Sequence, residues 1–403
     1  MAEQPVDTVT EVPVAIVGAG PAGLMLAHRL ARAGVDTVAI DIRSREEIEI
    51  TQRAGIIEAD AARDLIELGV SDRILRDGFE HEGVDLRFGG RSHRIDFQAQ
   101  VGESVWLYPQ TDVFIDLADA RARDGGTVHF GVRDTEVVGE TTERPIVRFT
   151  AADGTRHEIR ARYVVGSDGS RSICRNLVPA DQRTQFFREY PFAWFGFLCD
   201  APKSAPELVY AHSEHGFALV SQRTESVQRM YFQCSPDDSA DAWSDDRIWA
   251  TMQARVAGDD GFQLVEGPVT EKSVLIFRSF VQQPMRWGSL LLAGDAAHTV
   301  PPTGARGLNL ALHDVKILAD VLVRALGGEG EAALADYEPA ALGRVWRAQN
   351  FSWWMTQMLH TPPGALDFDV RRQLGELDNV VNTRAGRTYL AEQYTGWPAR
   401  SGD

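Results

Sequence analysis

The 403-residue chain has only three cysteines, Cys174, Cys199 and Cys234, and none of them stands in a C-x-x-C pair. That excludes a disulfide framework, fits a reducing cytoplasm, and leaves no metal-ligand spacing to single out. Basic residues are also scarce: 41 Lys and Arg face 58 Asp and Glu, for a formal net charge of −17. Such a chain is a poor partner for nucleic acid or an anionic membrane surface. It needs a local cluster of arginines to hold an anionic substrate. Long apolar runs are missing too. The stretch from Val12 to Val35 is broken by glycines, His28, Arg29 and Arg32, so no membrane span is expected. Acids at Glu3 and Asp7, with no basic leader, argue against a secretory signal. Repeats and low-complexity tracts are absent.

What is present is an ordinary globular composition, 44% hydrophobic and 25% charged. The length predicts a large core split into two domains or more. One stretch organises the rest. A β-branched apolar run, Val14 to Val17, leads into G-x-G-x-x-G at Gly18, Gly20 and Gly23. Leu24 to Ala33 reads as a helix, Val35 to Ile40 as a second strand, and Asp41 follows at once. Strand, glycine turn, helix, strand and acid make the context in which this motif holds a dinucleotide. Gly18 allows the tight turn, Gly20 admits the pyrophosphate, and Gly23 lets the helix pack on the sheet. The helix start, with Ala22 in its first turn, offers free N–H groups to phosphates. Asp41 can accept from a ribose.

Further along, Ala59–Leu68 and Asp112–Arg123 have helical period, and Ile42–Glu49 reads as an acidic loop or short helix. His81 to Val105 reads as short strands turning at Gly89-Gly90. Ile146–Thr150 and His157–Ile159 form a hairpin around Asp153-Gly154. The aromatic-rich, alternating region Pro191–Phe232 predicts a β-sheet of a second domain. After a helix at Trp243–Val256 and a strand at Val274–Val281, a buried strand at Leu290–Ala293 ends in Gly294-Asp295. Strong helices are expected over Gly307–Leu326 and Tyr337–Leu359.

Two further motifs carry chemistry. Tyr163-Val164-Val165 delivers Asp168-Gly169, followed by Ser170 to Arg175. Gly294-Asp295-Ala296-Ala297-His298 runs on to Pro301-Pro302-Thr303-Gly304 and Gly307-Leu308-Asn309. Asp295, at a strand end, can hold the ribityl chain of a flavin. The N–H groups around Leu308 and Asn309 can face its ring. A GxGxxG, a DG and a GD motif on one chain resemble the group A flavoprotein aromatic hydroxylases. Within that family the resemblance is to the branch acting on 4-hydroxybenzoate, over nearly the whole length. Arg76-Asp77-Gly78, His81 to Val84, Gly216 to Leu219, Ser221-Gln222-Arg223, Arg278-Ser279-Phe280, Phe351 to Thr356 and Tyr394 carry it.

The resemblance implies an α/β fold: a Rossmann-like FAD-binding domain (1–80, 109–185, 281–325), an inserted β-sheet substrate domain (81–108, 186–280), and a C-terminal helical region (326–403). It implies hydroxylation of 4-hydroxybenzoate at C3 by O2 through a flavin C4a-hydroperoxide, with FAD as cofactor and NADH or NADPH as donor, in a homodimer. It assigns the substrate carboxylate to Ser221, Arg223 and Tyr231. It places Tyr210, Tyr394 and the Pro302 carbonyl around the phenol, with His81 ending a proton path. Flavin contacts fall on Asp41, Arg53, Gln110, Asp295, Leu308 and Asn309, and Arg53 and Arg229 match residues that let the flavin swing. Nucleotide contacts fall on Arg171, Arg175 and Arg278. The residues independently favour part of this. Ser221 and Arg223 share a strand face, and a guanidinium fork matches a carboxylate. An ordinary imidazole at His81 titrates near neutrality and can hand a proton to solvent.

Three departures stand out. Ile42 and Glu47 occupy places that are basic and aromatic in NADPH-preferring members, and the acids Glu46, Glu47 and Glu49 repel a 2′-phosphate, against Arg43 and Arg45. NADH is therefore expected to serve at least as well as NADPH. Arg171 stands where the family has a histidine, and Asp41 where Glu is more usual. Hydroxylation of 4-aminobenzoate or a dihydroxybenzoate, or a flavin-bound sensor of an aromatic acid, are the alternatives.

Overall fold

The computed structural model describes residues 6–51 and 55–397. Its first sheet is built on parallel strands in the order Leu290–Leu292, Arg156–Gly166, Thr8–Val17, Thr37–Asp41 and Thr127–Phe130. Val14 to Val17 are buried, as a strand covered on both faces must be. The helix Pro21–Arg32 crosses over between the first two strands, and Ile146–Thr150 adds an antiparallel partner to Arg156–Gly166. The chain order reverses at Thr8–Val17, so a crevice opens beyond its carboxyl end, beside Gly18.

The second sheet runs His298–Thr299, Val269–Gln283, Thr184–Asp200, Val227–Cys234, Gly216–Gln222, Leu208–Ser213, Gly83–Phe88 and Arg91–Asp96. One face packs on the helix Asp245–Val256 through Phe195, Phe232, Trp249 and Met252. The other holds Trp194, Tyr210, Phe217 and Tyr231 against Phe351, Met355, Met358 and Tyr394 of the C-terminal helices Tyr337–Leu359 and Arg384–Thr395. A small third sheet pairs Ile56–Glu58 and Phe79–His81 with Val105–Leu107.

The segment Ala293–His298 joins the two large sheets. Leu292 closes the first, and His298 enters the second opposite Val281. Within His81–Val105 the expected strands form, but Phe97–Val101 is a short helix, started by Asp96, whose carboxylate accepts from Ala99 N–H at 2.8 Å. The helix from Gly307 ends at Arg324 and continues one wider turn to a break at Gly328, which has φ +118°. Helices Asp367–Asn382 and Arg384–Thr395 complete the C-terminal region.

Candidate active site

The three motifs meet at one seam. Gly18 has φ +103°, and a Cβ there would lie 2.3 Å from the Ser167 carbonyl oxygen and 2.7 Å from Asp168 Cα. A Cβ on Gly23 would lie 1.9 Å from the Gly18 oxygen, so only glycine lets helix and turn close. A Cβ on Gly294 would touch Ala311 at 3.0 Å and Ala22 at 3.8 Å, which brings the GD turn onto both helix starts. Arg175 ties the DG segment to the GD turn, donating to the carbonyls of Asp295 (3.3 Å), Ala296 (3.1 Å) and Ser170 (2.6 Å). Asp168 caps its own turn, accepting from Ile173 N–H at 2.7 Å.

The seam suits a dinucleotide. The helix Pro21–Arg32 starts at Gly20 with no side-chain cap and no acid in its first turn, and the helix Gly307–Arg324 starts likewise. Side chains at Gly20 and Gly307 would meet nothing within 4 Å, so both sets of free N–H groups face open room. Leu308 and Asn309 lie in the first turn of the second helix. The Asn309 side chain is committed elsewhere, accepting from Glu58 N–H (3.0 Å) and donating to Ile56 (2.9 Å) and Ala305 (3.1 Å). Asp41 is buried at the end of its strand and holds the glycine turn by accepting from Ala19 N–H at 3.0 Å, with Arg43 on its other oxygen. Gln110 opens the helix Gln110–Arg123, and Asp295 is exposed on the turn. Arg53 lies outside the described residues.

Two tyrosines mark the other half of the site. Tyr210 pairs across strands with Leu219, and Leu219 with Tyr231, so the three share one row on one sheet face. Tyr210 and Tyr231 are thus two strand spacings apart, about 10 Å. At the Tyr231 end, Ser221 stands opposite Arg229, and its hydroxyl donates to the Arg229 carbonyl at 2.7 Å. Arg229 lies over the Tyr231 ring at 5.2 Å, and its Nη1 is buried without a hydrogen-bond partner among the described residues. Arg223 reaches Thr111 Oγ1 at 3.2 Å. Burial and the neighbouring Arg229 press its pKa down.

At the other end, the Tyr210 hydroxyl lies 2.8 Å from that of Tyr394 and 3.1 Å from the Thr303 carbonyl. Tyr210 has one proton. Donation to Thr303 makes Tyr394 the donor of the pair. Burial raises Tyr210 to about 12 and lifts Tyr394 as well. Pro302, next in the chain to Thr303, accepts from Ala305 N–H at 2.9 Å, which leaves its carbonyl a second lone pair. His81 differs from expectation: it is buried, and desolvation pushes it down to about 4 rather than leaving it near neutrality. Neither of its ring nitrogens has a hydrogen-bond partner among the described residues.

The candidate nucleotide-binding arginines divide. Arg175 is committed to the turn and stacked over Phe280 at 4.7 Å. Arg171 and Arg278 are exposed, and Arg278 and Arg183 stand close enough to Arg175 to depress its pKa, after burial. Sequence reasoning missed Thr303, Thr356, His360 and Trp194, which hold the tyrosines in place. The bonds Tyr210–Thr303, Thr303–Thr356 and Trp194–His360 join residues 53 to 166 positions apart, so no local spacing marks them.

A doubly wound sheet whose glycine turn, DG and GD segments converge beside a buried, polar-ended aromatic site is the frame of a flavoprotein. Residues 11–352 match the family described as FAD binding domain. The p-hydroxybenzoate hydroxylase of Acinetobacter baylyi is 40% identical over 386 residues, covering 96% of this chain and 95% of that one. A 3-(3-hydroxy-phenyl)propionate/3-hydroxycinnamic acid hydroxylase of Mycolicibacterium gilvum is 29% identical over 82% of this chain and 57% of its own. The p-nitrophenol 4-monooxygenase of Pseudomonas putida superposes with a TM-score of 0.80 at 19% identity, over 97% of this chain and 100% of that one. The chain belongs to the FAD-binding group A flavoprotein aromatic hydroxylases.

Proposed function

We propose that this enzyme hydroxylates 4-hydroxybenzoate at C3 to 3,4-dihydroxybenzoate, consuming O2 and a reduced nicotinamide nucleotide. The observation that carries the reading is the cross-strand row: a buried tyrosine couple at Tyr210, and Tyr231 with Ser221 and Arg223 beside it two strands away. That spacing suits a ring with a hydroxyl and a carboxylate at opposite ends.

In this reading Arg223 binds the carboxylate and Tyr231 completes its lone pairs, with Ser221 joining once its hydroxyl turns from the Arg229 carbonyl to the acid. Each hydrogen bond to the charged group contributes roughly 1.5–3 kcal/mol. Arg229 adds positive potential, which a chain of net charge −17 does not otherwise provide. FAD held along the Gly18–Gly23 turn and the Gly294-Asp295 turn would supply hydride acceptance and O2 activation. The protein's own task is to enrich the ring in electrons by ionising the phenol, which costs about 4 kcal/mol at pH 7 for a pKa near 10. Tyr210, raised to about 12, stays protonated and acts as a relay rather than a base. For the relay the couple turns over: the Tyr210 hydroxyl leaves the Thr303 carbonyl for Tyr394, takes the phenol proton as it passes its own on, and Tyr394 gives its proton up toward His81. His81, pushed down to about 4, is neutral at working pH and has a nitrogen able to accept.

The donor in this reading is NADH at least as readily as NADPH. Arg43 is paired with Asp41, and Arg45 with Glu49 and Asp119. Glu47 closes a capping box with Ser44. Arg45 offsets Glu49, and neither arginine is left to offset Glu46 and Glu47. The domain division, a homodimer and a cytoplasmic location belong to the same proposal, on the family resemblance and on dispersed cysteines of which Cys174 and Cys199 are buried. Oxygen uptake with chromatographic product analysis tests the reaction. One 3,4-dihydroxybenzoate per NADH supports it, and NADH oxidation without that product overturns it.

A further inference from the structure

We infer that Thr356 is a positioning residue that sets the distance between the two ends of the substrate site, and thereby the length of aromatic acid accepted. The inference rests on the aromatic-acid reading above.

The sheet alone fixes one side of the site, through the row Tyr210–Leu219–Tyr231. A second, independent connection between the same tyrosines runs through the last turns of the helix Tyr337–Leu359. Toward Tyr210, the Thr356 hydroxyl donates to the Ser352 carbonyl at 2.6 Å. Its single proton is thereby used, so it accepts from Thr303 Oγ1 at 2.8 Å. Thr303 in turn receives the Tyr210 hydroxyl on its carbonyl at 3.1 Å.

Toward Tyr231, the Thr356 carbonyl is 3.0 Å from His360 Nδ1. Trp194 Nε1–H donates to His360 Nε2 at 2.7 Å. That nitrogen is therefore bare, and the imidazole carries its proton on Nδ1, aimed at Thr356. The Trp194 ring rests against the Tyr231 ring with centroids 4.9 Å apart. Gly196, two residues on, leaves room for that ring: a Cβ there would lie 2.7 Å from Tyr231 Cε1.

Every member of this connection is buried: Thr303 and Thr356 at 0%, Tyr210 and His360 at 1%, Trp194 at 2% and Tyr231 at 5% exposure. Polar groups in such surroundings are costly to leave unpaired, so the chain of bonds resists stretching. Sheet and helix together make a closed frame. Its two ends cannot separate unless a buried hydrogen bond breaks or the Trp194–Tyr231 ring contact opens. An acid longer by one methylene between ring and carboxylate must stretch the frame or forgo one end.

The test compares 4-hydroxybenzoate with 4-hydroxyphenylacetate, using the FAD-loaded enzyme and reading calorimetric Kd and kcat/KM for each. The parent should separate the two by roughly 10- to 200-fold. Thr356→Val, nearly isosteric, should cut that ratio to about one third or less, mainly through Kd for the longer acid, and Thr356→Ser should restore it. Trp194→Phe, which removes the indole donor from the other arm, should act in the same direction and covers the case of a Thr356→Val protein that does not fold. A ratio unchanged in whichever of the two folds, with the parent still discriminating, overturns the frame. If the parent binds neither acid, the aromatic-acid reading itself fails.

Discussion

Tyr210 and Tyr394 lie 184 positions apart in the chain, yet their hydroxyl oxygens are 2.8 Å apart in a buried couple. The strand Leu208–Ser213 brings one and the helix Arg384–Thr395 the other. Phe97, stacked on Tyr394 at 5.3 Å, holds the second ring in place. Replacing either tyrosine with Phe should lower kcat by roughly 10²-fold or more, the usual contribution of positioned proton transfer. Binding of the acid should stay near the parent value, since the Arg223 end is intact. Stopped-flow measurement of the hydroxylation phase checks this, and an unchanged rate in Tyr394→Phe would remove the couple from the proton path.

Arg223→Lys keeps the charge but loses the fork. The dissociation constant for 4-hydroxybenzoate should rise roughly 10- to 100-fold, with FAD affinity unaffected. Calorimetric titration separates the two effects. Equal loss of FAD would place the residue in the fold rather than the site.

Buried histidines predict the acid limb of stability. Burial pushes His81 and His313 down to about 4 and His360 to about 3, from 6.5 when unfolded. Between pH 6.5 and 4 the unfolded chain binds protons that the fold refuses, so stability present above pH 6.5 is lost as pH falls. His298 acts in the opposite sense. Burial alone would lower it, but Asp314 at 2.6 Å raises it, so its contribution is full below pH 6.5 and fades as pH climbs past its raised value. Urea midpoints from pH 7 to 4.5 should fall, and fall less in His81→Asn. An identical slope in that variant would contradict the burial of His81.

Coenzyme choice follows from paired charges. The parent should show kcat/KM for NADH equal to or above that for NADPH. Glu47→Gln should improve NADPH by several-fold, with little change for NADH, since a 2′-phosphate carries nearly two charges. Steady-state kinetics with both nucleotides decides the matter. A strong parental preference for NADPH would mean that the phosphate binds away from Arg45–Glu49.

Gly23→Ala should abolish flavin binding or folding, because its methyl would meet the Gly18 carbonyl oxygen at 1.9 Å. Flavin fluorescence and circular dichroism read the outcome. A yellow, folded Gly23→Ala protein would show that the turn shifts at little cost.

Much of this arrangement was legible in the chain, because local rules wrote it. The glycine spacing after Val14–Val17 announced the turn. Alternation ran one residue too far at the other site: the strand ends at Gln222, and Arg223, read as sharing a strand face with Ser221, lies in the bend beyond it. The helix Tyr337–Leu359 runs over the residues expected for it. The illegible part depends on long-range packing. The depression of His81 comes from what covers it. The side chain of Asn309, a residue expected to contact flavin, is spent on Ile56 and Glu58, some 250 positions earlier, and no periodicity reports that. The helix Phe97–Val101 is too short for its period to show.

The short passage from Ala293 to His298 leaves one sheet and enters the other. It works as a gauge block between the nucleotide seat and the aromatic seat. On the proposed reading, the spacing of those seats is set by the length of this passage, and one residue inserted there is expected to misalign them.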